Sequence, residues 1–171
     1  MINLRKTLFD VHSILDQEGI AHALIGGFAL AVYGNFRATV DIDFLADGSK
    51  KEIIKKVLTA KSFILKFESD EVLQFSGIGF VDIILANRPF SQEMLKQAIQ
   101  NKELGVHVLR AEDIIGLKIQ AYKNEPTRSL QDKADIQKLL QLPSLDMTLV
   151  KKYADLFQEW NEIKKIGNLK L

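Results

Sequence analysis

The segment Asp41-Ile42-Asp43-Phe44-Leu45 constrains the chain more than any other. Its apolar members, with Thr39 and Val40 before them, have β character, and side chains in a strand point alternately to opposite faces. Asp41 and Asp43 therefore share one face, while Ile42 and Phe44 turn the other way, into a core. Two carboxylates side by side repel each other, and a half-apolar strand resists burying them. A divalent cation between them relieves both costs, which is why acidic-x-acidic on one strand suits metal-assisted phosphoryl chemistry. The plain alternative is a strand end carrying two solvated acids.

Composition narrows the metal. The 171 residues include no Cys and only three His, His12, His22 and His107. That excludes a disulfide scaffold, a zinc ribbon and a thiol nucleophile, and it leaves too few imidazoles for an all-His cage. Oxygen donors remain, and these favour hard ions such as Mg²⁺ or Mn²⁺. Lys and Arg number 23 against 22 acids, for a net charge of +1, whereas proteins that wrap duplex nucleic acid carry a marked basic excess. A small substrate, a nucleic-acid end or a protein surface fits this balance better. Apolar residues make up 47%, enough for a real core. The first residues are charged and amphipathic rather than leader-like, and no apolar run reaches membrane-spanning length. The expectation is a cytoplasmic protein that does not cross a membrane.

Apolar residues at Leu4, Leu8, Val11, Ile14 and Leu15 have helical spacing, stopped by Gly19. A short buried strand, Ala23–Ile25, then runs into Gly26-Gly27 and a second helix that closes at Gly34. After the acidic strand, Ser49 with Glu52 reads as a capping box for a helix with Ile53, Ile54, Val57 and Leu58 inward. Three short β-like runs follow (residues 62–67, 71–75 and 79–86), then a helix near Gln92–Ile99 and a strand near Gly105–Leu109. From Ala111 the pattern is helical: one helix ending before Pro126, a second over Leu130–Leu140, and a third over Met147–Ile163. The expected fold is α/β (α+β), a small mixed sheet with flanking helices over residues 1–110 and a helical region over 111–171.

Two further features bear on chemistry. Gly26-Gly27, between strand and helix, lets a phosphate approach backbone N–H groups closely, although a tight turn needing positive φ explains a glycine pair equally. Asp82 is a single charge within Phe80-Val81-Asp82-Ile83-Ile84-Leu85. It lies either on a solvent-facing edge or, if its strand neighbours Asp41 and Asp43, in a carboxylate triad.

These residues together resemble the polymerase-β-type nucleotidyltransferase superfamily. The resemblance lies in an apolar-Gly-Gly turn, 13 intervening residues, Asp41-x-Asp43 and a third Asp on a later strand. The paired glycines, with Arg37 and Thr39 ahead of the acids, look like the small bacterial and archaeal members, among them abortive-infection and type IV toxin-like enzymes and minimal forms that act with a helical partner. Lys118, Arg128, Asp132 and Asp135 extend the likeness, more loosely, into the helical region.

The resemblance implies a nucleotidyltransferase that moves a nucleoside monophosphate from an NTP to a hydroxyl and releases pyrophosphate, as the toxin of a toxin–antitoxin pair in one branch. Asp41 and Asp43 would bind two Mg²⁺ or Mn²⁺ ions and the triphosphate, and Asp82 would hold the cation that activates the attacking hydroxyl or act as its base. Gly26 and Gly27 would cradle the β,γ-phosphates, and Lys118 would steady the leaving pyrophosphate across a cleft. Arg37 is read as a phosphate contact or a surface ion pair, Lys118 alternatively as a stem lying over apolar surface, and Arg128 with Asp132 as an i,i+4 pair. The acceptor stays open between a tRNA 3′ end, a protein hydroxyl and a small molecule, and the partner between an antitoxin and a helical protein. The superfamily's commoner form has Ser where this chain has Gly27, so one hydroxyl is lost. A catalytically silent protein of this fold, acting as a binding or neutralising partner, is the alternative.

Overall fold

The computed structural model describes residues 3–169. The chain divides into two compact units, Met1–Val32 with Phe36–Leu109, and Tyr33–Asn35 with Arg110–Leu171.

In the first unit the elements run α1 (Leu4–Gln17), β1 (His22–Ile25), α2 (Gly26–Val32), β2 (Asp41–Asp47), α3 (Lys51–Ala60), β3 (Ile64–Glu68), β4 (Val72–Ser76), β5 (Phe80–Ala86), α4 (Pro89–Lys96), β6 (Ile99–Asn101) and β7 (Val106–Val108). The seven strands form one sheet in the order β3-β4-β5-β2-β1-β7-β6. β3, β4 and β5 are an antiparallel meander. β2 lies parallel to β5 and antiparallel to β1, while β1 is parallel to β7 and β7 antiparallel to β6. This is the mixed α/β architecture expected from the sequence.

Register decides what each face does. Asp41 pairs with Phe80 and Asp43 with Asp82; Asp82 in turn faces Gln74, so these side chains share one face. The opposite face carries Ile42, Phe44, Val81, Ile83, Leu73 and Phe75, each 1% exposed or less. Helix α1 covers it with Leu8, Val11 and Leu15, and α3 covers it with Ile54 and Leu58. Full burial of each such side chain contributes about 1.5–3 kcal/mol. The apolar half of each alternation thus holds the sheet against its helices and leaves the three acids partly exposed on the other face.

His22 shows how closely α1 sits. Its Nδ1 donates to the Ile20 carbonyl at 2.7 Å, so its Nε2 is free to accept from His12 Nδ1, also at 2.7 Å. The His22 ring meets Phe44 edge-on. Burial lowers the pKa of both histidines; for His22 the positive charge of His12 and His107 adds to the lowering, opposed by the Ile20 carbonyl and Asp16, and for His12 Asp16 opposes and His107 adds. A histidine whose folded pKa lies below its unfolded value binds more protons when unfolded. The pair's stabilisation is therefore complete above the ordinary histidine range and is lost as pH falls through it. Urea midpoints at pH 7.5 and 5.5 check this. His22→Leu is expected to flatten the difference, and an equal pH dependence in both proteins refutes the assignment.

Several local expectations are corrected. Ser49 caps nothing: the Asp47 side chain accepts from Ser49 N at 2.9 Å, residues 48–50 form a 3-10 turn, and α3 begins at Lys51 without a side-chain cap. An Asp two residues ahead of a free N–H captures it in an Asx turn. Ile53, read as inward, is 41% exposed. The acidic strand starts at Asp41, leaving Thr39 and Val40 in the preceding loop. The helix placed near Gln92–Ile99 begins at Pro89, where proline's fixed φ suits a first turn, and Ile99 instead opens an edge strand paired with Val108.

The second unit contains α5 (Ala111–Asn124), α6 (Ser129–Leu139), α7 (Met147–Leu156) and α8 (Trp160–Ile166). The long third helix read from the sequence is broken between α7 and α8, where Gln158 has φ +59°. The break places Glu159 to accept from Tyr122 Oη at 2.9 Å and Lys123 Nζ at 2.8 Å. Asp113, fully buried, accepts from Arg110 Nε at 2.8 Å and Tyr153 Oη at 2.6 Å, fixing the start of α5. Burial, aided by Glu112 and Asp113, pushes the Tyr33 hydroxyl up to about 12. Among the described residues no helix is long and apolar enough to cross a membrane.

Candidate active site

Parallel pairing of β2 with β5 brings the three aspartates together. Asp41, Asp43 and Asp82 each offer an oxygen within 4.8 Å of the others, and all three are partly exposed. Aligned Asp43 and Asp82 are about 4.8 Å apart along the sheet's hydrogen-bonding direction, and the two-residue step from Asp43 to Asp41 keeps the third carboxylate on the same face. A slip of one residue between β2 and β5 would have turned Asp82 into the core. Three anionic oxygens without a sulfur or imidazole among them are a donor set for a hard divalent cation.

Neutral donors hold Asp82 and Asp41. Gln74 Nε2 on β4 donates to Asp82 Oδ2 at 3.0 Å. Thr39 Oγ1 donates to Asp41 Oδ1 at 2.7 Å. Sequence reasoning passed over Gln74, although a lone amide in the alternating run Val72-Leu73-Gln74-Phe75 was the available signal. Thr39 had been noted only as a neighbour of the acids.

The glycines are required by this packing. Gly26, directly after β1 at the start of α2, has φ +64°, and a Cβ there would overlap the Asp43 carboxylate. A left-handed backbone already disfavours an L side chain by roughly 1–2 kcal/mol, and here the space is also taken. A Cβ on Gly27 would lie 2.8 Å from both Cβ and Oγ1 of Thr39. Bare backbone at the turn therefore lies against the acidic cluster. Arg37, in the loop before β2, donates from Nη1 to its neighbour's carbonyl, Ala38 O, at 3.2 Å.

Lys118 lies on α5 in the second unit. Its ammonium, in a side chain 10% exposed, is 2.8 Å from Asp132 Oδ1 and 2.7 Å from Asp135 Oδ2. Asn35 donates to the other oxygen of Asp135 at 3.2 Å, and Arg128 Nε is 3.7 Å from Asp132 Oδ2. The Lys, Arg and two Asp singled out in the helical region thus form one largely buried charge cluster.

Solved structures with this fold include an antigenic nucleotidyltransferase-like protein from Paracoccidioides brasiliensis, with a TM-score of 0.59 and 19% identity over 98% of this chain and 93% of that one. ANT(2")-Ia in complex with adenylyl-2"-tobramycin gives 0.58 and 13% identity, over 96% and 94%. The lincosamide antibiotic adenylyltransferase LnuA, lincomycin-bound, gives 0.57 and 15%, over 80% and 96%. At such identities these likenesses establish the fold. No curated protein matches the sequence. Residues 8–167 match the family model of the nucleotidyl transferase AbiEii toxin of type IV toxin–antitoxin systems. With nearly the whole length matched, the chain belongs to the AbiEii family of nucleotidyltransferase enzymes.

Proposed function

We propose that this protein transfers a nucleoside monophosphate from an NTP to a hydroxyl acceptor and releases pyrophosphate, with Mg²⁺ or Mn²⁺ held by Asp41, Asp43 and Asp82. The observation that carries the reading is the convergence of the three partly exposed carboxylates on one sheet face, against the bare backbone of Gly26. When bound, the cations supply positive charge to the triphosphate and make the acceptor hydroxyl easier to deprotonate. The acceptor oxygen attacks the α-phosphorus, an O–P bond forms, and the bond to the β-phosphate oxygen breaks as pyrophosphate leaves. Asp82 is assigned the side of the acceptor and takes its proton. Gly26 and Gly27 are assigned the β,γ-phosphates, and Arg37 and Lys118 the nucleotide's negative charge, as the resemblance implies. In this reading the enzyme is the toxin of a toxin–antitoxin pair, restrained by a cognate antitoxin, and its acceptor is an RNA end, a protein or a small molecule.

The test incubates the protein with Mg²⁺ or Mn²⁺, α-labelled NTPs and a cell extract, then separates RNA, protein and small molecules. Label is expected in one fraction with the wild type and in none with Asp41→Ala/Asp43→Ala. A wild type that binds no NTP, with or without metal, refutes the reading and leaves the catalytically silent binding protein as its replacement.

A further inference from the structure

We propose that Thr39 is a positioning residue of this site, a hydroxyl that locks one Asp41 oxygen and thereby sets the geometry in which Asp41 meets a cation. The inference rests on the reading of Asp41 as a cation ligand. Thr39 lies outside any regular element, two residues before its acceptor, where a loop side chain is free to rotate unless something holds it. Two things hold it. Its Oγ1 donates to Asp41 Oδ1 at 2.7 Å. Its Cβ, Oγ1 and Cγ2 fill the space in which a side chain on residue 27 would stand, with Cγ2 3.2 Å from that position. The side chain is therefore wedged between the Gly26-Gly27 turn and the first carboxylate of the triad.

The wedge accounts for the departure at position 27. A serine there has no room for its Cβ, which would lie 2.8 Å from the Thr39 Cβ in any Thr39 rotamer, so the turn carries a hydroxyl contributed by residue 39 in place of one from residue 27. The choice of Thr is also physical. A β-branched side chain has few χ1 rotamers, so its methyl packed against the turn fixes where its hydroxyl points. A carboxylate has two oxygens, and a neutral donor on Oδ1 fixes the orientation in which Asp41 would present its remaining lone pairs to a cation. Outer hydrogen-bond partners of this kind orient ligands, and their loss weakens metal binding about 10–100-fold.

Mn²⁺ binding to the metal-free protein, followed by electron paramagnetic resonance without nucleotide, tests this independently of turnover. Thr39→Val keeps the shape and removes the hydroxyl; it is expected to weaken Mn²⁺ binding about 10-fold with an unchanged melting temperature, and Thr39→Ser is expected to restore binding to within about twofold. Gly27→Ala keeps the hydroxyl but displaces it, and is expected to weaken Mn²⁺ binding like Thr39→Val. Wild-type affinity in Thr39→Val or in Gly27→Ala overturns the role of Thr39. If the wild type binds Mn²⁺ and Asp41→Asn does not, that failure is confined to Thr39. If the wild type binds no Mn²⁺, the triad reading and the role of Thr39 fall together.

Discussion

Asp43→Asn is expected to lower nucleotidyl transfer at least about 100-fold while leaving the metal-free protein as stable as the wild type or more so. The two effects have one origin. Asp43 stands between the other carboxylates: it follows Asp41 by two residues on β2 and is the register partner of Asp82 on β5. Loss of an outer partner to a metal ligand already costs about 10–100-fold, so loss of a charged ligand itself sets the lower bound at about 100-fold, close to 3 kcal/mol of barrier. Without metal the sign reverses. Three carboxylate oxygens within 4.8 Å of one another repel, and at an effective dielectric between that of a protein surface and water each pair costs roughly 1 kcal/mol or more. Asn keeps the shape of Asp and removes one charge from two such pairs. Urea unfolding in EDTA, alongside the transfer assay, checks both halves. Transfer at the wild-type rate refutes the role of Asp43, and a variant less stable than the wild type in EDTA refutes the charge argument.

The parts of this molecule that were legible in its sequence are those with a short period. The alternation in β2 announced that strand and the common face of Asp41 and Asp43, because a strand has two faces and the core claims one; the apolar run around Asp82 announced a strand but not which way its acid turns. Gly26-Gly27 was visible for the same local reason, since few other residues tolerate φ +64° beside a carboxylate. What the sequence left open was pairing. Whether Asp82 faces Asp43 is decided by the lateral register of β2 and β5, to which residues 80–86 contribute no local signal. Errors arose where a tertiary partner outbid a local preference. Asp47 took the Ser49 N–H, and the otherwise continuous helical pattern breaks where Glu159 meets Tyr122 and Lys123. Lys118 shows the same limit differently. Its apolar neighbours Ile114, Ile115, Leu117 and Ile119 indicated a partly inward position, but the partners that make burial tolerable, Asp132 and Asp135, lie 14 and 17 residues later on another helix.

Lys118→Met is therefore expected to destabilise the helical unit strongly, by about 3–5 kcal/mol. Lys118, Asp132 and Asp135 have side chains 10%, 3% and 5% exposed, so solvent screens their interaction little. Two carboxylates share one ammonium, and of the other charges near them Arg128 is more than half exposed and 3.7 Å from Asp132. Removing the ammonium leaves two buried like charges without their common partner, and breaking a buried pair from one side typically costs 3–5 kcal/mol. For a domain of this size that corresponds to a fall in melting temperature of roughly 10 °C or more. Replacing the whole cluster has a different sign, because neutral side chains carry no desolvation penalty. Lys118→Met combined with Asp132→Asn and Asp135→Asn is expected to recover most of the loss, as when a buried ion pair is exchanged for uncharged residues. The comparison also separates two roles for the lysine. If Lys118 served the nucleotide alone, Lys118→Met would abolish transfer with its melting temperature unchanged, and the triple variant would melt no higher than the single one. That outcome would remove the structural role. A large fall in the single variant with recovery in the triple one establishes that the ammonium is first a structural counter-ion, and that any charge it lends to a phosphate is shared with Asp132 and Asp135.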